Sequence, residues 1–225
     1  MAVTLELCHV FVFVADEGKA AAALSQVGLR ESFRRTHPGQ GTANLCACFE
    51  NAYLELLWPS NRAELESPAV APTRLAERAA WRDSGACPFG IALRTVPAEA
   101  PLPLPTWGYR QAFWPPDFAL PVAEASRDPR QPFLFRSPGS ARPEAWTDGR
   151  ADVRQDGAEI AGLRLLFPVG TGPAAELREL AAAGVLELGE GPAYGLELLV
   201  TQPKGQVRRL LLPDLAWIAG SGARV

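Results

Sequence analysis

His9 and Glu55 are the two side chains of this sequence whose types and settings most suggest chemistry. His9 stands in an apolar, β-branched and aromatic run, LELCHVFVFV, from Leu5 to Val14, and Glu55 stands in YLELLW, from Tyr53 to Trp58. An imidazole and a carboxylate can act as an acid–base pair or ligate a divalent metal. A buried carboxylate without a partner is costly, so a Glu within such a run has its proton affinity raised and suits proton transfer. The plainer alternatives are a hydrogen-bonded core histidine and an edge-strand glutamate facing solvent. His37, the second of two histidines, opens the stretch His37-Pro-Gly-Gln-Gly-Thr-Ala-Asn44 and is expected in a glycine-rich turn. Thr42 and Asn44 follow at alternate positions, so both can face one side of a strand and hydrogen-bond a polar ligand; turn chemistry is their alternative role. Arg34, Arg35 and Arg136 could receive a carboxylate or phosphate. Trp58, Trp81, Trp107 and Trp114 suit core or cleft wall.

These residues must be positioned by regular elements, and the first 58 residues read strand, helix, strand, strand, strand. Leu5–Val14 is the first strand; Asp16 can cap a helix over 17–27 that Gly28 ends. Leu29–Arg35, Thr42–Phe49 and Tyr53–Trp58 follow as strands. On the first strand Leu7, His9 and Phe11 share a face, and on the fourth Tyr53, Glu55 and Leu57 do, so His9 and Glu55 can meet across a cleft. A connector over 59–86, helical near 72–82, leads to a strand at Cys87–Thr95. The segment from Pro97 to Pro143 holds about half of the 21 prolines, which argues against a helix there. Short strands fit Tyr109–Trp114, Phe118–Ala123 and Phe133–Ser137, making a second unit whose helix is replaced by a proline-stiffened loop. From Ile160 the order strand (160–167), helix (Pro173 to Gly184) and three strands (185–188, 194–201, 207–212) recurs.

The expected fold class is therefore α+β, with repeated βαβββ units whose curled mixed sheets enclose a cleft and whose helices pack outside. The order, the opening His9-Val-Phe-Val, the closing Tyr53-Leu-Glu-Leu and the stretch from His37 to Asn44 resemble the glyoxalase-like branch of the vicinal-oxygen-chelate superfamily. The resemblance implies a single glyoxalase-like domain over 1–225, with units at about 5–58, 87–137 and 160–212. It also implies a metal held by a His on strand one and a Glu on strand four of paired units, here His9 and Glu55. The second unit presents Phe89, Gly90, Phe135 and Arg136 near the matching places, and the third presents Gly162, none of them a good ligand. His37 could swing in to complete the set. On this reading His9, Glu55 and His37 are catalytic, and Thr42, Asn44, Arg136 and Trp58 contact substrate. The implied activity is binding, and conversion by a lyase, isomerase or dioxygenase reaction, of a small oxygenated metabolite, with one divalent metal as cofactor. The alternative is a metal-free binding or sequestering protein of the bleomycin-resistance type.

Composition narrows the partners. A net charge of −3 gives no electrostatic basis for nucleic acid or an anionic membrane. No apolar stretch approaches the roughly 20 residues of a membrane span, no secretory signal opens the chain, and Cys8, Cys46, Cys48 and Cys87 lack disulfide or zinc spacing. A cytoplasmic protein with a small-molecule ligand is expected, compatible with a homodimer. No nucleophile elbow, phosphate loop or dinucleotide fingerprint occurs.

Overall fold

The structure, a computed structural model, describes residues 3–111 and 114–212. Strand β1 (Thr4–Phe13) is followed by helix α1 (Glu17–Gln26) and strands β2 (Phe33–His37), β3 (Thr42–Cys48) and β4 (Tyr53–Pro59). Asp16 caps α1 by accepting from the Lys19 amide at 2.9 Å. Ala20, Ala23 and Leu24 form the buried stripe of the helix, and Gly28 leaves it with φ +66°, a conformation that favours glycine. Three short helices, α2 (Arg62–Leu65), α3 (Leu75–Ala79) and α4 (Trp81–Ser84), carry the chain to β5 (Phe89–Val96). Strands β6 (Thr106–Tyr109), β7 (Leu120–Ala123) and β8 (Phe133–Arg136) complete the second unit. No helix lies between β5 and β6, as the prolines predict. The strand expected at Tyr109–Trp114 falls partly outside the described residues.

One eight-stranded open sheet contains both units, in the order β2-β3-β4-β1-β5-β8-β7-β6. Each unit places its first strand beside its fourth in parallel, β1 with β4 and β5 with β8. The two halves are joined at the centre by the antiparallel β1–β5 ladder, in which His9 pairs with Ala92 and Phe11 with Gly90. The second unit, rather than the third, thus closes over the first. A bulge between Leu7 and His9 changes the alternation on β1. Leu7 packs with the outer core while Cys8 joins the inner cluster, so Leu7 does not share the His9 face as expected from strict alternation.

The third segment comprises β9 (Glu159–Pro168), α5 (Ala175–Ala182), β10 (Glu187–Gly191), β11 (Gly195–Thr201) and β12 (Val207–Leu211). Its element order matches the first unit, but its pairing differs: β10-β9-β11-β12, with β10 parallel to β9. The short return after α5 sets β10 directly beside β9, whereas the first unit interposes β4 and β3 between β1 and β2. This second sheet covers the outer face of β5 and β8, where the second unit has no helix of its own. Leu163, Leu165, Leu177, Leu180 and Leu196 share one apolar core with Phe89, Ile91, Leu93 and Leu134. Gln131 donates to the Gly172 carbonyl at 3.0 Å and accepts from the Ala174 amide at 2.9 Å, and Tyr194 donates to the Arg130 carbonyl at 2.8 Å.

Two residues carry unusual constraints. Arg78, on α3, is fully buried. Its guanidinium donates to the carbonyls of Cys87, Ser126, Asp128, Pro129 and Gln131. Burial pulls its pKa down to about 10, still charged at neutral pH. Gly90 lies under the Phe11 ring, where an added Cβ would sit 2.0 Å from a ring carbon. Gly90→Ala is therefore expected to lower stability by about 1–3 kcal/mol through overpacking, measured by thermal denaturation, with part of the loss recovered in the Phe11→Leu background. Arg78→Met should cost more than about 3 kcal/mol, because several buried carbonyls lose their donor at once; a smaller loss of unfolding free energy in urea would show that other groups satisfy them.

Candidate functional site

The inner face of the eight-stranded sheet bounds a cavity of about 690 Å³, within the range of small-molecule sites. The first unit supplies its polar groups and the second mostly apolar ones. His9 from β1, Asn44 from β3, Glu55 from β4 and His37 from β2 line it on one side, and Phe133, Phe135, Tyr109 and Trp114 on the other. The free ends of the sheet approach each other across the mouth, where Gln111 donates to the Gln40 side-chain carbonyl at 2.6 Å and to the Tyr109 hydroxyl at 2.9 Å.

Glu55 stands at the centre of the polar side. Its Oε2 is 3.5 Å from His9 Nε2, and its Oε1 accepts from Asn44 Nδ2 at 2.5 Å. The β4 alternation places Tyr53, Glu55 and Leu57 on this face, and β3, antiparallel to β4, sets Cys46 opposite Glu55 and Asn44 opposite Leu57. All three of His9, Asn44 and Glu55 are buried, at 5%, 4% and 6% exposure. The solvent-facing alternative for Glu55 is thereby set aside. His9 stacks on Tyr53 at 4.3 Å with the rings 16° apart and meets the edge of Phe135 at 5.5 Å. His9 Nδ1 and Asn44 Oδ1 on this wall, and Gln111 Oε1 across the cavity, are buried without a hydrogen-bond partner, so the lining holds unused polar capacity, which in folded proteins calls for a partner.

Burial governs the proton affinities. Desolvation pushes the Glu55 carboxyl up to about 7, opposed by the Asn44 hydrogen bond and the Arg35 charge. Desolvation pulls His9 down to about 3, with Arg94 and His37 acting in the same sense. His37 falls to about 4 through burial and the nearby Arg35. At neutral pH both imidazoles are uncharged and the carboxyl is near its midpoint, where a group gives and takes protons with equal ease.

The other predicted residues divide. His37 ends β2 rather than lying in the turn, since the strand runs Phe33–His37, two residues past the Arg35 end expected; its Nδ1 is 2.9 Å from the Thr42 hydroxyl, and its Nε2 is 3.5 Å from Asn44 Nδ2. Thr42 is fully buried and orients His37 and Gln40 rather than lining the cavity. Trp58 belongs to the outer core with Leu54 and Leu56, one residue out of phase with Glu55 on β4. Arg136 likewise points away from Phe133 and Phe135, donating to the Thr95 hydroxyl at 3.2 Å and to the Ala98 carbonyl. Neither contacts the cavity. Sequence reasoning missed Tyr53 as the stacking partner of His9, and also Gln40, Gln111 and Trp146. Tyr53 carried a signal, its period-two spacing from Glu55. Gln111 carried none, since only the tertiary fold brings it to Gln40.

A divalent metal would have to be held by His9 and Glu55. Across the β1–β5 ladder the second unit sets Gly90 and Ala92 on this face, and β8 sets Phe133 and Phe135. Phe89, by contrast, packs in the outer core. Among the described residues no group of three or more His, Cys, Asp or Glu side chains is placed to hold a metal ion, and catalytic metals generally take three protein ligands. The donor set present does not fit one.

Comparison with known proteins places the first unit and the start of the second. Residues 7–102 match the family described as the glyoxalase-like domain, so the resemblance to that branch of the vicinal-oxygen-chelate superfamily holds over this stretch. A crystal structure of a hypothetical protein from Staphylococcus aureus aligns with 92% of this chain and 98% of its own, at a TM-score of 0.50 and 10% identity, a likeness of fold alone. No curated protein matches the chain. No helix among the described residues is long and apolar enough to cross a membrane.

The raised Glu55 pKa has a stability signature. The folded state holds this proton more tightly than the unfolded chain, so its contribution is full below about 4.5 and is lost as pH rises through about 7. Glu55→Gln should match the wild type near pH 4.5 and exceed it by up to about 3 kcal/mol at pH 8. The two histidines act oppositely, destabilising the fold as pH drops from about 6.5 toward 4 and 3, and equally in both proteins. Urea unfolding from pH 4 to 8 reads this out; a difference between the two proteins that stays constant with pH would place the carboxyl in a solvated setting.

Proposed function

We propose that the cavity is a metal-independent binding site for a small oxygenated molecule, with Glu55 as the group that exchanges a proton with it. The observation that carries this reading is the Glu55 carboxyl itself: buried in the cavity wall, held by Asn44 at 2.5 Å and faced by neutral His9 at 3.5 Å. A hydroxyl of the ligand donates to the Glu55 carboxylate, and the remaining capacity of Asn44 and His9 accepts or donates a second bond. The aromatic wall contributes dispersion and excludes water, which strengthens each polar contact. Where the ligand carries an acidic C–H, the same carboxylate is the base that removes it and, once protonated, the acid that returns it. Sequestration without turnover is the second reading, and the apolar second-unit wall of Phe133 and Phe135 favours it.

The test uses protein purified without chelator. Elemental analysis is expected to find no stoichiometric divalent metal in wild type or His9→Ala. In EDTA, 4-nitrobenzyl alcohol should quench tryptophan fluorescence saturably, since Trp114 and Trp146 line the cavity. Glu55→Leu should weaken it by roughly tenfold, the cost of one hydrogen bond to a charged group, while leaving 4-nitrotoluene unchanged. Binding abolished by EDTA and restored by a divalent metal would overturn the reading, as would stoichiometric metal that disappears in His9→Ala.

A further inference from the structure

Arg35 is unlike almost every other arginine of the chain. Eleven arginines are engaged in ion pairs with carboxylates, from Arg30 with Asp156 to Arg164 with Glu197. Arg78, Arg110, Arg136, Arg178 and Arg208 are bound to main-chain carbonyls, and Arg82 lies over the Trp81 ring. Among the described residues only Arg35 and Arg209 have a guanidinium with no such partner. Arg209 is on β12, at the edge of the other sheet. Arg35 lines the cavity. It sits in the middle of the β2–β3 ladder, paired with Asn44, so its backbone is fixed by the same strands that hold the polar wall. Its charge reaches inward, lowering the proton affinity of both Glu55 and His37.

The rest of the lining gives Arg35, an exposed residue of β2, no ion-pair partner. The other charged groups there are Glu55, already bonded by Asn44, and Arg150, which is paired with Asp148 at 2.7 Å and stacked on Trp146 at 4.3 Å. A cationic ligand would meet repulsion from Arg35, and a neutral one would leave it unused. The aromatic walls on Arg35's side are Phe33, two residues away on β2, Trp146 and Tyr53: Phe33 meets Trp146 at 6.1 Å, and Tyr53 meets Trp146 at 5.6 Å, both edge to face. Such walls accept a planar ring by stacking or edge contact, and a guanidinium takes a carboxylate in a two-point fork. We propose that the molecule held in this cavity is an aromatic carboxylate, its ring between these walls and its carboxylate on Arg35. This rests on the reading of the cavity as a metal-independent small-molecule site.

The test compares 4-nitrobenzoate with its neutral counterpart 4-nitrobenzamide by tryptophan quenching in EDTA. Wild type should bind the benzoate at least about tenfold more tightly, as a charge-assisted fork allows. Arg35→Gln should bring the benzoate to the level of the benzamide without changing the benzamide, Arg35→Lys should keep part of the preference, and Arg209→Gln should change neither. Added salt should weaken the benzoate alone. Equal affinities in wild type, or an Arg35→Gln protein that keeps the preference, would overturn the proposal while leaving the cavity reading intact. Failure of both probes to bind folded wild type would overturn the cavity reading and this proposal with it.

Discussion

The central antiparallel ladder between β1 and β5 is the constraint on which the site depends. It makes one curved sheet from two units and decides what each presents to the other. Because His9 is paired with Ala92 and Phe11 with Gly90, the large side chains of β1 lie across small ones of β5. The second unit then fills the cavity side with Phe133 and Phe135. Polar chemistry is therefore one-sided. The symmetric partner of the His9–Glu55 pair is an apolar surface, which helps to bury the pair and, among the described residues, offers no second set of metal ligands.

That burial has an energetic consequence. A carboxyl and two imidazoles are held where their charged forms are penalised, and the fold must stabilise them with packing elsewhere. The outer core does so with an almost unbroken apolar layer shared by β1, β3, β4, β5, α1, α5 and the β9–β12 sheet. The second sheet is thus more than an appendage, since it buries Phe89, Ile91 and Leu93 on the face opposite the cavity.

Much of this is legible in the residues. In the first unit the strands and helix follow from apolar runs, the Asp16 cap and Gly28, and the facing of His9 and Glu55 follows from period two. The same rule, applied one residue further along β4, sends Trp58 to the outer core, and on β8 it sends Arg136 away from Phe135. Phase rather than residue type thus decides that neither side chain lines the cavity. The bulge after Leu7 had no local signature, so Cys8 was hidden as a cavity residue. β2 both starts and ends later than Leu29–Arg35, which makes His37 a strand residue, and the apolar Leu29, which packs in the outer core ahead of the strand, obscured that shift. The pairing of β9 to β12 could not be read from element order, because the same order is compatible with two strand arrangements. Contacts such as Gln40 with Gln111 depend on how the two sheet edges curl toward each other, which no local pattern encodes.

Arg78 suggests how such a fold can drift in sequence without losing shape. The turn over 126–131 presents carbonyl oxygens to one guanidinium, and carbonyls belong to the main chain whatever the side chains are. Substitution along that turn leaves its acceptors in place, whereas the donor resides in a single codon. The donor that holds this stretch lies some fifty positions away, so the residues of the turn do not by themselves disclose what fixes its geometry.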